Sequence, residues 1–289
     1  MSAGRVVVVG AVLAALARLP LPAAGPQGKI MDNRTLLKDL VLAGRKEEAA
    51  RVARSLGPQA GDALLEASSS PRSSVRMLAL ELAADHPSPG SCRTVLGRLS
   101  DSNATVRSVA GSLVRICRDH DNAPDLVKAL DQQQDASIRN SVVAQLGIAG
   151  SHENVPLLRR LSHDPQLANS ASLALVQLGD TQERRRLIKR LSDDDLQTRT
   201  DALRDVSTVG DPKLAAWLGP ALADVRDAVP ISMPHVSPAV YARVCDFAVM
   251  VMAQLGYHFS FPVNFLERRP LEQIQEAARM VEAMPRENR

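Results

Sequence analysis

The chain has 289 residues, and 35 Lys and Arg stand against 32 Asp and Glu, a formal net charge of +3. This excess is too small to indicate a nucleic-acid partner by itself. Aromatic residues make up only 2% of the chain, and its three cysteines exclude a disulfide-rich framework. A core without large rings must be filled by Leu, Val, Ala and Ile, which favours thin layers of closely packed helices.

The first 25 residues have the layout of a secretory signal peptide. A basic residue precedes the apolar run Val6–Ala17, and Arg18 and a small, Pro-containing segment follow it. The run is shorter than the ~20 apolar residues that a membrane helix needs, so no stable membrane span is expected. We predict a signal peptide over residues 1–25, a linker over 26–32, and export to the periplasm or the medium. The alternative is an over-long N-terminus and a cytoplasmic chain that begins near Met31.

Helical periodicity begins after the linker. Residues 33–57 predict two short helices that form an N-terminal cap. Residues 58–211 predict regular helix pairs, because one pattern recurs: a polar turn, a β-branched or Leu-like residue, an Arg, then small and aliphatic residues at helical spacing. Its copies are PRSSVRMLALE from Pro71, DSNATVRSVAG from Asp101, QDASIRNSVVA from Gln134, DPQLANSASLA from Asp164 and DDLQTRTDALR from Asp194.

Residues 212–289 depart from this pattern and predict a divergent last repeat with a C-terminal cap. A helix that carries the only Trp, Trp217, precedes a long Pro-containing turn, and a very apolar helix is predicted from Ala239 to Leu255. The aromatic residues Tyr257, Phe259, Phe261 and Phe265 follow. They are predicted to close the open end of the stack. The alternative is a partner-binding aromatic patch.

Three runs carry a family resemblance: LVKALDQQQDASIRNSVVAQLG, VPLLRRLSHDPQLANSASLALVQLGD and RLIKRLSDDDLQTRTDALRDVSTVGDP. Together with their relatives from about Ala60 to Gly256 they resemble HEAT repeats of the short bacterial type. The resemblance implies an all-α fold, a right-handed α-solenoid of about six antiparallel helix pairs, HEAT/armadillo-like. It indicates no single function, because HEAT repeats bind proteins, nucleic acids and small ligands alike.

The resemblance also implies a structural ladder along the stack. In HEAT repeats an Arg at the start of the second helix commonly pairs with the turn Asp of its own or a neighbouring repeat. The predicted members are the arginines Arg76, Arg107, Arg139 and Arg199, with Asp101, Asp135 and Asp195 as their partners. Asn169 interrupts the row in the fourth repeat. We favour this ladder over a row of phosphate-binding arginines.

Two cysteines are predicted to lie close together. Cys92 starts one helix and Cys117 ends the next, and antiparallel packing brings those ends into contact. The geometry therefore allows a Cys92–Cys117 disulfide, which could form in an oxidising compartment. Two buried free thiols are the alternative.

The sequence holds no recognisable catalytic or metal-binding motif. We find no GxSxG, no GxxxxGK[ST] and no HExxH, and no strand-like alternation that would build a GxGxxG site. His86, His120 and His152 follow successive second helices, but helices about 8–10 Å apart cannot share one zinc ion. The basic run Arg184–Arg186 is more typical of a solvated face than of a site for an anionic partner. We therefore predict no enzyme, no cofactor and no metal.

These observations together predict an exported, non-catalytic scaffold. It would be a monomer whose concave face, lined by second helices, binds another protein, and no nucleic-acid partner is expected. One alternative is a HEAT-like modifying enzyme of the lyase or glycosylase type. Another is an intracellular nucleic-acid-binding HEAT protein, whose binding to a duplex would be sensitive to salt.

Overall fold

A computed structural model describes residues 32–88, 90–231 and 240–286. Within these ranges the chain forms fifteen α-helices and one two-stranded sheet. The helices are α1 (Asn33–Leu42), α2 (Lys46–Leu56), α3 (Ala60–Ala67), α4 (Ser73–Asp85), α5 (Ser91–Leu96), α6 (Ala104–Leu113), α7 (Ala123–Gln132), α8 (Ala136–Ala149), α9 (Val155–Leu161), α10 (Ala168–Gln177), α11 (Thr181–Leu191), α12 (Leu196–Val209), α13 (Gly219–Leu222), α14 (Val244–Gln254) and α15 (Leu271–Glu282). The strands are β1 (Asp227–Ile231) and β2 (Val240–Arg243). The predicted signal peptide and nearly all of the linker lie outside the described residues.

The helices α1 to α12 form six successive pairs, each with a first helix and a second helix. Second helices of neighbouring pairs pack directly on each other, α4 on α6, α6 on α8, α8 on α10, and α10 on α12. The helix α14 continues this row after α12. The predicted all-α solenoid of about six antiparallel helix pairs is confirmed.

Polar side chains fix where several second helices begin. Asn103, Asp135 and Asp195 precede α6, α8 and α12, and a side-chain oxygen of each accepts hydrogen bonds from backbone N–H groups of the first turn. These N–H groups have no partner inside the helix, so the caps stabilise each helix start. The first helix α11 begins in the same way behind Asp180.

The core is a strip of aliphatic side chains that follows the stack from α1 to α15 in three consecutive sections. A close helix contact lies between α8 and α10. A Cβ atom added at Gly147 would lie 2.6 Å from the Cα atom of Ala174. Only glycine lets the two backbones approach this closely.

The C-terminal end departs from the predicted helix over Ala239–Leu255. Residues 240–243 form β2 instead, paired antiparallel with β1 so that Tyr241 lies opposite Pro230. The helix α14 starts only at Val244, where the Asp246 carboxylate accepts a hydrogen bond from the Arg243 N–H at 2.9 Å. Residues 227–231 and 240–243 thus pair as two short strands. They pair in this way because the Pro-containing segment has no helical periodicity.

The aromatic residues of this end pack as part of a cap. Tyr257, Phe259 and Phe261 lie against the last section of the core, and the rings of Phe259 and Phe261 stack with centroids 5.1 Å apart. Phe265 is 62% exposed. Most of these rings therefore close the stack rather than form an exposed patch.

The structure joins Cys92 and Cys117 in a disulfide, with Cα atoms 5.0 Å apart. Cys92 lies in the first turn of α5, and Cys117 follows the 3₁₀ turn Val114–Ile116 that extends α6. The bond therefore ties the two helices of one pair together at one end. Cys245 is a free, buried thiol.

Replacing both Cys92 and Cys117 by Ser should lower the free energy of unfolding. The bond closes a loop between residues 25 apart in sequence, for which restriction of the unfolded chain gives about 3 kcal/mol. Urea denaturation with and without dithiothreitol measures the difference. The reductant should destabilise the wild-type chain and leave the double variant unchanged; an unshifted wild-type midpoint would contradict the prediction.

Candidate functional site

A buried ion pair joins the first two regular repeats. The Arg76 guanidinium donates from Nε and Nη2 to the two carboxylate oxygens of Asp101, at 2.7 and 2.6 Å. Its Nη1 donates to the carbonyl oxygens of Ser70 and Pro71, each at 2.9 Å. Burial opposes ionisation of Asp101, but the hydrogen bonds from Arg76 and from the Asn103 N–H outweigh it and lower the pKa of Asp101. The pair therefore stays ionised inside the stack.

Two further Arg–Asp pairs lie at the same place in later repeats. Arg139 lies 3.6 Å from the Asp164 carboxylate, and Arg199 donates to Asp224 at 2.5 Å. A hydrogen bond from Arg226 acts against burial and, with Arg199, lowers the pKa of Asp224 to about 2. In all three pairs the Asp follows its Arg by 25 residues. We call each such Arg–Asp pair a rung. A rung is called incomplete where another residue replaces the Arg or the Asp.

The Asp of each rung accepts one backbone hydrogen bond within its own turn, and residues in the other turns accept the same bond. In each turn a side-chain oxygen accepts from the N–H two residues further on, and the residues that do so are Asp101, Gln133, Asp164, Asp193 and Asp224. These five residues therefore occupy equivalent positions in successive turns. We call this place the turn position.

The structure places the predicted ladder residues in two different roles. Asp101 pairs with Arg76, whereas Asp135 and Asp195 cap α8 and α12 and form no ion pair with a ladder arginine in the described part of the chain. Both lie two residues after the turn position. There a side-chain oxygen accepts a hydrogen bond from the N–H groups at the start of the helix. Asp164 and Asp224 are the partners that the sequence interpretation missed. The constant interval of 25 residues was the signal that could have found them.

Two rungs are incomplete. Arg107 donates from Nη1 to the carbonyl oxygens of Asp101 and Ser102, at 2.6 and 3.2 Å, but the neutral Gln133 occupies its turn position. Asp193 is present in the turn before α12, while Ala168 and Asn169, at the start of α10 in the preceding repeat, stand where an Arg would be. One incomplete rung thus lacks its carboxylate and the other lacks its cation.

Open grooves lie at both incomplete rungs. Groove 1, of about 350 Å³, lies between α6 and α8 and is lined by Arg107, Ser108, Ser112, Asp135, Ser137 and Ser141, among others. Groove 2, of about 380 Å³, lies between α10 and α11 and is lined by Asn169, Ser172, Glu183, Arg186 and Arg190, among others. Small side chains line the helix faces here, so nothing fills the space. The lining residues of both grooves together form what we call the groove surface.

Most charges of the basic run on α11 are engaged inside the protein. Arg184 pairs with Asp211 at 2.5 Å, Arg186 with Glu183 at 2.5 Å, and Arg190 with Asp205 at 2.5 Å. On the preceding first helix, Arg159 pairs with Asp180 at 2.9 Å. Arg159, Arg184 and Arg190 therefore link α9 and α11 to neighbouring elements, whereas Arg186 pairs within α11.

The described residues place no group of three or more His, Cys, Asp or Glu side chains where it could bind a metal ion. In the same part of the chain, no helix combines the length and apolar character that crossing a membrane requires.

Comparisons with known proteins find similarity only at the level of structure. No protein-family model matches the chain, and no curated protein matches it. The complex of CpcE and CpcF of phycocyanin lyase from Nostoc sp. PCC7120 is similar, with 17% identity, a TM-score of 0.46, and coverage of 92% of this chain and 99% of that chain. Human deoxyhypusine hydroxylase in complex with glycerol is similar with 18% identity, a TM-score of 0.41, and coverage of 80% of this chain and 98% of that chain.

Both similar proteins are HEAT-like helical solenoids. Their names are those of a lyase and a hydroxylase. The prediction that this chain is not an enzyme is corrected on this finding.

Replacing Asp101 by Asn should destabilise the fold far more than replacing Asp135 by Asn. The first change leaves the buried Arg76 guanidinium without its counter-charge, and breaking a buried pair in this way costs about 3–5 kcal/mol. The second change keeps a good helix cap, so about 0.5 kcal/mol or less is expected. Urea denaturation of both variants measures this difference, and equal losses would show that the rung and the cap are not distinct.

Proposed function

We propose that this chain is a HEAT-like helical-repeat component of a modifying enzyme and that it binds a protein partner across the groove surface. The observation that carries the binding part is the coincidence of the two grooves with the two incomplete rungs. Elsewhere along the row the Arg and Asp side chains of complete rungs lie between the repeats. Where a rung is incomplete, space is left for a partner, and at groove 1 one edge of the Arg107 guanidinium is left as well.

The spacing of the grooves favours an extended partner segment. The helices α6 and α10 are separated by α8, so two helix-to-helix steps of about 8–10 Å each lie between the grooves. An extended segment of about six residues spans that distance, at roughly 3.3 Å per residue. Side chains of such a segment could enter both grooves at once, and many weak contacts would then add up.

Small polar side chains make the groove surface suitable for this purpose. Ser108 and Ser112 are exposed on α6, as are Ser137 on α8 and Asn169 on α10. They lose little side-chain entropy when a partner covers them, and their hydroxyl and amide groups can hydrogen-bond to a partner backbone. The rungs on either side fix the helices that carry them, so the surface is pre-organised.

The enzymatic part of the proposal follows the alternative interpretation of the sequence, a HEAT-like modifying enzyme. Membership of the HEAT family is part of the same proposal, supported by the recurring turn and rung positions. Export remains a prediction from the N-terminal sequence, and the Cys92–Cys117 disulfide supports it because such bonds persist in oxidising compartments. A monomeric state and the lack of a nucleic-acid partner also remain predictions.

Filling the grooves should weaken partner binding. Ser112→Trp places a large ring in groove 1 and Ser172→Trp one in groove 2, and each should weaken partner capture by about ten-fold or more, a loss of about 1.4 kcal/mol. Immobilised full-length chain captures the partner from source cells, and the affinity is then measured with the purified partner. Gln132→Trp, on the exposed end of the first helix α7, is the matched control and should bind normally.

The same purified partner tests the enzymatic part. Its intact mass is compared before and after incubation with the chain and source-cell small molecules. A mass change that depends on the chain supports a modifying enzyme, and an unchanged mass counts against it. Equal binding by all three Trp variants would instead contradict the groove surface as the binding site.

A further inference from the structure

At the second rung, which is incomplete, backbone contacts orient the Arg107 guanidinium so that it can pair with a carboxylate. Arg76 uses Nη1 to bind two carbonyl oxygens of its own turn and presents Nε and Nη2 to Asp101. Arg107 uses its Nη1 in the same way, on Asp101 O and Ser102 O. The backbone contacts therefore orient both side chains alike. Within the described residues, the remaining edge of the Arg107 guanidinium has neither an ion pair nor a hydrogen bond.

The residue at the turn position explains why this edge is unpaired. Gln133 donates from Nε2 to Leu99 O at 2.7 Å, and its Oε1 accepts from the N–H groups of Gln134 and Asp135. Its amide thus makes the hydrogen bonds of the turn, as the carboxylates of the other turns do, but it brings no negative charge. The rung of Arg76 and Asp101 shows what Arg107 lacks, namely a carboxylate that accepts two parallel hydrogen bonds.

Groove 1 gives a ligand access to Arg107. The guanidinium lies in its lining, together with Ser108 and Ser112 of α6 and Ser137 and Ser141 of α8. Asp135 is the one acidic side chain in the lining, and its Oδ1 is engaged by the N–H groups of Ser137 and Ile138 at 2.9 and 3.1 Å. The helix start offsets part of its charge. An incoming carboxylate therefore meets a cation on one side and hydroxyl donors around it.

We propose that groove 1 binds the carboxylate of an Asp or Glu side chain of the protein partner, which pairs with Arg107 as the missing member of the second rung. This inference rests on the proposed binding of a protein across the groove surface. It makes that binding selective for an acidic residue, since a neutral side chain leaves the guanidinium edge unpaired.

Two short peptides test the carboxylate directly. Full-length ¹⁵N-labelled chain is titrated with N-acetyl-Gly-Glu-Gly-amide or with the isosteric N-acetyl-Gly-Gln-Gly-amide, and NMR follows the Arg107 Nε–H signal and the backbone signals of Ser108 and Ser141. The Glu peptide should bind about ten-fold or more tightly than the Gln peptide, because its hydrogen bonds join two charged groups. Equal affinities would overturn the proposal.

The variant Gln133→Asp supplies the carboxylate from inside the protein. Asp at this position keeps the turn hydrogen bond that Asp101 and Asp164 make and should pair with Arg107, so the Glu peptide should lose its advantage while the urea midpoint is kept or raised. Arg115→Gln removes an exposed charge just beyond α6 and should leave peptide binding unchanged. Undiminished binding of the Glu peptide to Gln133→Asp would contradict the proposal, since the carboxylate would then bind elsewhere.

Sodium acetate distinguishes a built site from general attraction of anions. Equal acetate-induced shifts at Arg107 and Arg115 would overturn the proposal, whereas a shift confined to Arg107 supports it.

Failure of this inference is distinguishable from failure of the proposed function. If Ser112→Trp weakens partner capture while the two peptides bind equally, only the carboxylate claim fails. If the Glu peptide binds as expected and Ser112→Trp captures the partner normally, the protein-binding claim fails instead.

Discussion

A guanidinium buried between two helical repeats is stable only when a counter-charge and its hydrogen-bond acceptors are in place, and this requirement organises the second-helix row. Removing a charge from water is costly unless it is paired. Arg76 meets the condition with Asp101, and Arg199 has its counter-charge in Asp224, both through short contacts at buried positions. Each contact joins a second helix to the turn of the next repeat, so it fixes how neighbouring repeats are aligned. The aliphatic core, which has little directional preference, does not impose that alignment.

The same constraint accounts for the places where a partner can bind. A complete rung occupies the space between repeats, and an incomplete one leaves a groove with unsatisfied polar chemistry. The two incomplete rungs differ in kind, because one retains the cation Arg107 and the other retains the carboxylate Asp193. A partner would need an acidic group at groove 1, whereas groove 2 presents Asn169, Ser172 and Glu183 among its lining residues. The two grooves therefore differ in the chemical groups that line them as well as in their position along the solenoid. Both differences can select a partner.

Much of the fold follows from the sequence, because a repeat with constant phase predicts both the helices and the way they stack. The arginines of the ladder are equally visible. Their partners are harder to identify, since turn residues that complete a rung and those that cap a helix lie only two residues apart, as Asp101 and Asn103 show. The hairpin of β1 and β2 was not predicted, because Pro230 and the irregular turn give no alternating pattern. The grooves could not be predicted either, since they depend on which small residues face each other across two helices.

The central claim is that a protein partner covers the grooves at the incomplete rungs. Hydrogen–deuterium exchange of the chain, alone and with its purified partner, tests this most directly, because it reports protection along every helix. The account predicts slowed exchange along α6, at the start of α8, in α10 and in α11, with α7 and α9 unchanged. Protection confined to first helices, or to the aromatic segment around Phe265, would contradict it and place the interface on another face of the solenoid.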